Sequence, residues 1–217
     1  MDDIQIITLD GNIGAGKSTL LKKIEEYLPY VEIVFEPVPV WESLKCNNDK
    51  NILQHFYEDS IRWGYTFQNC ALLTRIMAVK DAIEKAKKSN KKVIITERSV
   101  LTDINVFAKM NKNIGNLSEL EWNLYLKWVD AFSNDKSIKA IIHVTTCVET
   151  CIKRIKSRAR KGEDIIPEDY LHSLSVEHYN WCKNTKLPVL NISTETDINV
   201  TDNIEKIKEF IKKVTNI

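Results

Sequence analysis

The stretch Gly-Asn-Ile-Gly-Ala-Gly-Lys-Ser fills residues 11–18, between an apolar run (IQIITLD) and a segment of helical periodicity (KSTLLKKIEEYL). It matches G-x-x-x-x-G-K-[ST], and its flanks supply the strand–loop–helix setting that the pattern requires. The glycines let backbone N–H groups turn inward around phosphate oxygens. The helix N-terminus behind them adds partial positive charge. On this reading Gly11, Asn12, Ile13, Gly14, Ala15, Gly16, Lys17, Ser18 and Thr19 form a cradle for a nucleoside triphosphate, ATP or another. Lys17 reaches the β- and γ-phosphates, and Ser18 ligates Mg²⁺.

Such a loop serves many reactions and does not name one. The chain around it narrows the choice. Short apolar runs at Ile4–Leu9, Val31–Phe35, Val93–Thr96, Ala140–Val144 and Val189–Ile192 alternate with helical stretches at 17–28, 50–88, 100–133, 147–183 and 200–214. Strands that are apolar throughout are expected where helices cover both faces of a parallel sheet. The alternation predicts an α/β three-layer fold of the P-loop NTPase type, with a five-stranded parallel sheet flanked by helices. No repeat or low-complexity linker interrupts the 217 residues, so one domain over 1–217 is expected. A GTPase should carry N-K-x-D; Asn184-Thr185-Lys186-Leu187 fails at the last position, which counts against that class.

Two of the strands end in acids. The first is followed by Glu36-Pro37-Val38-Pro39-Val40-Trp41, the second by Glu97-Arg98-Ser99. The prolines predict an extended path behind Glu36. In an α/β sheet the carboxyl ends of the strands face the ligand crevice, so Glu36, Glu97 and the phosphate cradle are expected to converge. Glu97 stands where an acid that holds Mg²⁺, directly or through water, belongs, and Arg98 can steady Glu36 or an attacking oxygen. Further along, KRIKSRARK (153–161) carries six positive charges and no negative one. Arg154 and Arg158 share a helix face, Arg160 follows, and Gly162 and Pro167 bound the segment. Guanidinium groups stabilise charge on a transferring phosphoryl group, so an Arg-rich lid over about 154–167 is expected.

Taken together, GNIGAGKST, EPVPVW, FYEDSIRWGYTFQ…R, ERSVLTD…F and CIKRIKSRARKGEDIIPEDYL resemble the deoxyribonucleoside kinases of the deoxycytidine kinase and deoxyguanosine kinase type. The motifs run in the family's order from residue 6 to about 181, and LPVLNIS…KIKEFI extends the similarity. The resemblance implies ATP-dependent phosphorylation of a deoxynucleoside 5′-hydroxyl in nucleotide salvage. It makes Glu36 the base that accepts the hydroxyl proton, with Arg98, Lys17 and Arg158 completing the catalytic set. It places Trp41, Leu53 and Phe56 on the pocket wall, with Phe56 where some members have methionine. Tyr57 and Glu163 correspond to the pair that grips the 3′-hydroxyl, Gln68 to the amide that reads the base edge, and Phe67 and Phe107 to the aromatics around the ring. Arg75, Asp103 and Ala71 are the positions of base choice. A polar Arg–Asp pair there implies a purine deoxynucleoside or deoxycytidine over thymidine. The resemblance also implies a homodimer through long helices within 50–88 and 118–133, where Trp122 and Trp128 are either interface or core residues. The loop Thr196-Asp197-Ile198 aligns loosely with a contact to the donor base.

A thymidylate-kinase-like nucleoside-monophosphate kinase shares fold and loop, but normally has an Asp-Arg-aromatic motif where this chain has Glu97-Arg98-Ser99. A silent nucleotide-binding module is the reading from another class; the full set of catalytic residue types speaks against it. The formal charge of +1 gives no case for nucleic-acid or membrane-surface binding. No apolar run approaches the roughly 20 residues that span a bilayer. The acidic start MDDIQIITLD predicts no signal or transit peptide and a cytoplasmic location. The five cysteines form no C-x-x-C pair and are expected to be free and mostly buried.

Overall fold

In the computed structural model, which describes residues 4–47, 49–133, 138–196 and 200–215, the apolar runs become five strands. They are β1 (Gln5–Gly11), β2 (Val31–Val34), β3 (Val93–Glu97), β4 (Ile138–Thr145) and β5 (Val189–Ser193). All pair in parallel, in the order β2-β3-β1-β4-β5. Neighbouring residues of β1 serve opposite faces. Ile7 and Leu9 pack with Leu21 and Ile24 of α1 (Lys17–Tyr27) and with Ile204, Ile207 and Ile211 near the C-terminus. Ile6 packs on the other face with Ile94, Ala82 and Ala86. Burial on both sides explains why the strands read as unbroken apolar runs.

The long helical stretches are divided. The run 50–88 becomes α3 (Ile52–Glu58) and α4 (Ser60–Lys88), parted at Asp59, whose side chain accepts from Arg62 N at 3.0 Å and starts the second helix. The prolines behind Glu36 do not hold an extended path. A short helix, α2 (Val38–Ser43), begins there, with Pro37 just before it and Pro39 in its first turn, where no N–H is required. The stretch 100–133 opens as α5 (Val100–Thr102), widens into a π-helical turn (Asp103–Phe107) and continues as α6 (Ala108–Asn113). Gly115, at φ +85°, ends that run, and a capping box of Ser118 with Glu121 starts α7 (Glu119–Phe132). Ala159 (φ +49°) and Gly162 (φ +89°) part α8 (Val148–Arg158) from α9 (Glu168–Asn184), and α10 (Val200–Thr215) closes the described chain.

All five cysteines are free, but "mostly buried" does not hold: only Cys151 is buried, while Cys46 and Cys147 are exposed and Cys70 and Cys182 half-buried. Cys46 follows α2 in a surface loop and Cys147 sits at the start of α8, neither against the core. Of the donor-base stretch, Asp197 and Ile198 lie outside the described residues. Among those residues, no helix is long and apolar enough to cross a membrane.

Candidate active site

The sheet register brings the acids together. Val34 pairs with Thr96, and Leu9 with Glu97, so two further residues of each chain set Glu36 beside Arg98 at the mouth of the phosphate loop. The loop is folded as its glycines permit. Gly14 has φ +80°, and a Cβ there would meet the Cys151 carbonyl oxygen at 2.5 Å. Lys17 Nζ donates to the Asn12 carbonyl at 2.7 Å and lies 3.9 Å from Glu97. Burial, reinforced by Arg98, lowers the Lys17 ammonium to about 8. Ser18 Oγ donates to Glu97 Oε2 at 2.9 Å, so the two groups expected to hold Mg²⁺ stand side by side. A hydroxyl and a carboxylate are the hard oxygen donors such an ion takes.

Glu36 is clasped from two sides. Arg98 Nη1 donates to one oxygen and Arg75 Nη2 to the other, while Arg75 Nη1 donates to Asp103. Burial alone would raise the Glu36 carboxyl, but Arg98, Arg75 and Lys17 outweigh it and hold it down to about 2. Glu36 is therefore ionised throughout the neutral range. Burial pushes Asp103 up despite Arg75. Arg98 itself has φ +60°, a strained conformation for a non-glycine residue. Its N–H donates to the Leu9 carbonyl at 3.0 Å, and its carbonyl accepts from Thr96 Oγ1 at 2.9 Å. The backbone is thus fixed from both sides so that the guanidinium faces Glu36.

A cavity of about 700 Å³ opens from the loop past Glu36. Its walls include Trp41, Leu53, Phe56, Tyr57, Phe67, Gln68, Ala71, Arg75, Asp103 and Phe107, with Arg154, Arg158, Arg160 and Glu163 at the phosphate side. Phe67 stacks on Phe56 at 4.8 Å between centroids and meets Trp41 edge-on at 5.3 Å. Gln68 Oε1 and Asp103 Oδ2 are buried, two acceptors with no donor among the described residues. Burial, with the nearby Tyr170 and Glu163, raises the Tyr57 hydroxyl well above its ordinary value and keeps it a donor.

Glu163 gathers the basic segment. Its Oε2 accepts from Arg158 Nε and Nη2 at 3.0 and 2.6 Å, and its Oε1 from Arg160 Nη1 at 2.8 Å. Arg154 Nη2 donates to the Thr194 carbonyl at 2.7 Å, while its buried Nη1 has no partner among the described residues and lies 3.4 Å from where a Cβ on Gly16 would sit. Three loop residues do not line the cavity. Asn12 ties the loop to α9 through the Leu171 carbonyl (2.8 Å), the Gly11 carbonyl accepts from Arg98, and the Ala15 carbonyl accepts from Thr194 (2.6 Å) and Thr146 (3.3 Å).

Sequence reasoning passed over Thr194, Tyr170 and Thr74. Thr194 directly follows β5, and the position of strand carboxyl ends at ligand crevices was the available signal. Tyr170 lines the cavity from the first turn of α9. Thr74 Oγ1 accepts from Trp41 Nε1 at 2.9 Å and so fixes the indole; nothing local in the sequence marks it.

The sheet order, the phosphate cradle and the arginine-clasped carboxylate define a phosphotransferase of the P-loop class. A family model described as deoxynucleoside kinase matches residues 7–217, and the chain belongs to that family. It is 37% identical to the probable deoxycytidine kinase of fowlpox virus, over 88% of this chain and 79% of that protein. Human deoxycytidine kinase is 32% identical over 96% of this chain and 91% of its own. The mitochondrial deoxyguanosine kinase of Xenopus laevis is 30% identical over 89% and 83%.

Proposed function

We propose that this kinase transfers the γ-phosphoryl group of ATP to the 5′-hydroxyl of a purine deoxynucleoside or deoxycytidine, in preference to thymidine. The observation that carries the reading is the Glu36 carboxylate, held by Arg75 and Arg98 between the phosphate loop and the aromatic cavity. In-line transfer asks mainly for positioning and charge stabilisation, with one acceptor for the hydroxyl proton. Glu36, ionised at neutral pH, accepts that proton, and Arg98 orients it. Lys17, Arg154 and Arg158 face the donor phosphates, supported by the unpartnered Nη1 of Arg154 above Gly16. Ser18 and Glu97 would hold Mg²⁺, which neutralises charge on the β- and γ-phosphate oxygens.

Phe67 and Phe107 flank the base, Tyr57 and Glu163 take the 3′-hydroxyl, and Trp41, Leu53 and Phe56 close the wall. Gln68 Oε1 and Asp103 Oδ2 lack donors among the described residues, which fits a base that offers an amine edge. Thymine instead presents a carbonyl and a methyl group toward Arg75 and Asp103. The segment 154–167 acts as a lid, and residues 1–217 work as one cytoplasmic kinase unit. Two copies associate through α4 and α7. These helices pack together and expose Leu73, Met77, Leu120, Leu124, Trp128 and Phe132. Trp122 is half-buried and stacks on Tyr125, so it belongs to the packing beneath that face.

Initial rates with Mg-ATP and each of the four deoxynucleosides, dTMP and dCMP test the reading. Turnover of deoxycytidine or a purine deoxynucleoside, with little on thymidine, is expected. Glu36→Gln should lower kcat by roughly 10²–10⁴-fold, the range of general-base contributions, with ATP binding retained. Turnover of a monophosphate alone would transfer the site to a nucleoside-monophosphate kinase.

A further inference from the structure

Asp10 is completely buried and has no part in the chemistry above. It lies in β1 immediately before Gly11. Each of its carboxylate oxygens accepts a hydrogen bond from one hydroxyl: Thr8 Oγ1 donates to Oδ2 at 2.7 Å, and Thr102 Oγ1 to Oδ1 at 2.5 Å. Burying a carboxylate is costly, and burial indeed raises this carboxyl against the pull of both hydroxyls. An apolar residue would serve as well if the only task were to hold the strand.

Thr102 is a junction. Its Oγ1 also accepts from the Ser99 amide at 2.9 Å, and its own amide donates to Ser99 Oγ at 3.4 Å. From its place just before Asp103, this one hydroxyl thereby links two points: the strand that feeds the phosphate loop and the residue after Arg98. The π-helical turn starts at Asp103 and ends at Phe107, so two cavity-lining residues ride on it. A π-helical turn has weak intrinsic preference and owes its register to its surroundings. The Thr102–Asp10 bond is the anchor at its leading end.

We propose that Asp10 is a positioning residue for nucleoside selection: through Thr102 it fixes Asp103, and with it the Arg75 guanidinium, relative to the phosphate loop. The proposal rests on Arg75 and Asp103 being the base-facing pair. The test compares Thr102→Val, which removes the hydroxyl, with Thr102→Ser, which keeps it. The readouts are kcat/KM for deoxycytidine and thymidine, KM for Mg-ATP, and Tm. For Thr102→Val the deoxycytidine-to-thymidine ratio should fall about tenfold, the size expected for one lost buried hydrogen bond, with KM for Mg-ATP within about twofold of wild type. Thr102→Ser should stay within about twofold of wild type in every readout. If Thr102→Val does not fold, Asp10→Asn takes its place. That change makes the charge-assisted bond a neutral one, and the ratio should fall about threefold. A lowered Tm with an unmoved ratio, or Thr102→Ser shifting as far as Thr102→Val, overturns the proposal. Wild-type protein that phosphorylates no nucleoside overturns instead the reading on which it rests.

Discussion

Lys17 shows how one residue serves function against stability. Its side chain is 4% exposed, and burial lowers its ammonium to about 8. The folded value lies below the ordinary 10.5, so between about pH 8 and 10.5 the unfolded chain binds the extra proton, and this group's contribution to stability rises with pH. With Lys17 in its proposed role, donor binding should change in the opposite direction, because deprotonation removes the charge offered to the phosphates. Measured on the free enzyme, kcat/KM for ATP should decline above about pH 8, approaching tenfold per pH unit. Lys17→Met should abolish donor binding yet raise Tm at pH 7 by roughly 10 °C, since about 3 kcal/mol of buried-charge cost is removed. A lowered Tm would mean that the bond to the Asn12 carbonyl outweighs the burial cost.

At the level of elements, the connection between α8 and α9 carries Arg160 and Glu163, the latter proposed to take the sugar 3′-hydroxyl. Gly162 sits inside it at φ +89°, and a Cβ there would lie 2.7 Å from Gln54 Cγ on α3. The next residue, Glu163, holds Arg158 and Arg160. Gly162→Ala combines an unfavourable conformation with a close contact, a strain of about 1–2 kcal/mol. It should raise KM for the nucleoside roughly five- to tenfold, with the change in Tm within a few degrees because the strain is local. An unchanged nucleoside KM would separate Glu163 from sugar binding.

At the scale of the whole molecule, seven of the sixteen large apolar side chains exposed among the described residues lie on two neighbouring helices, α4 and α7. Leu120, Leu124, Trp128 and Phe132 recur every four residues along α7, and Leu73 and Met77 do so on α4, all 43% exposed or more. A charged residue in that face should prevent association. Sedimentation of wild type should give twice the single-chain mass, and Leu124→Glu with Met77→Glu should give one chain with its far-UV spectrum intact. A wild-type monomer at micromolar concentration would leave the face to some other role.

The five strands, the phosphate loop and the two strand-end acids were legible in the sequence because each depends on local pattern: apolar runs, glycine spacing, and a charge at the end of a buried strand. The helix breaks at Asp59 and Gly115 were readable in retrospect as cap and left-handed turn, but long helical periodicity concealed them. The start of α2 just after Pro37, with Pro39 in its first turn, was masked by the rule that proline opposes helix, which does not apply there. Only tertiary structure decided the rest. The bridge from Asp103 through Arg75 to Glu36 joins residues 28 and 39 positions apart, and Asp10 meets Thr102 across 92. Trp41 finds Thr74 only because α2 packs against α4. Such contacts follow from the sheet register and helix packing that bring distant segments together, and no local pattern encodes them.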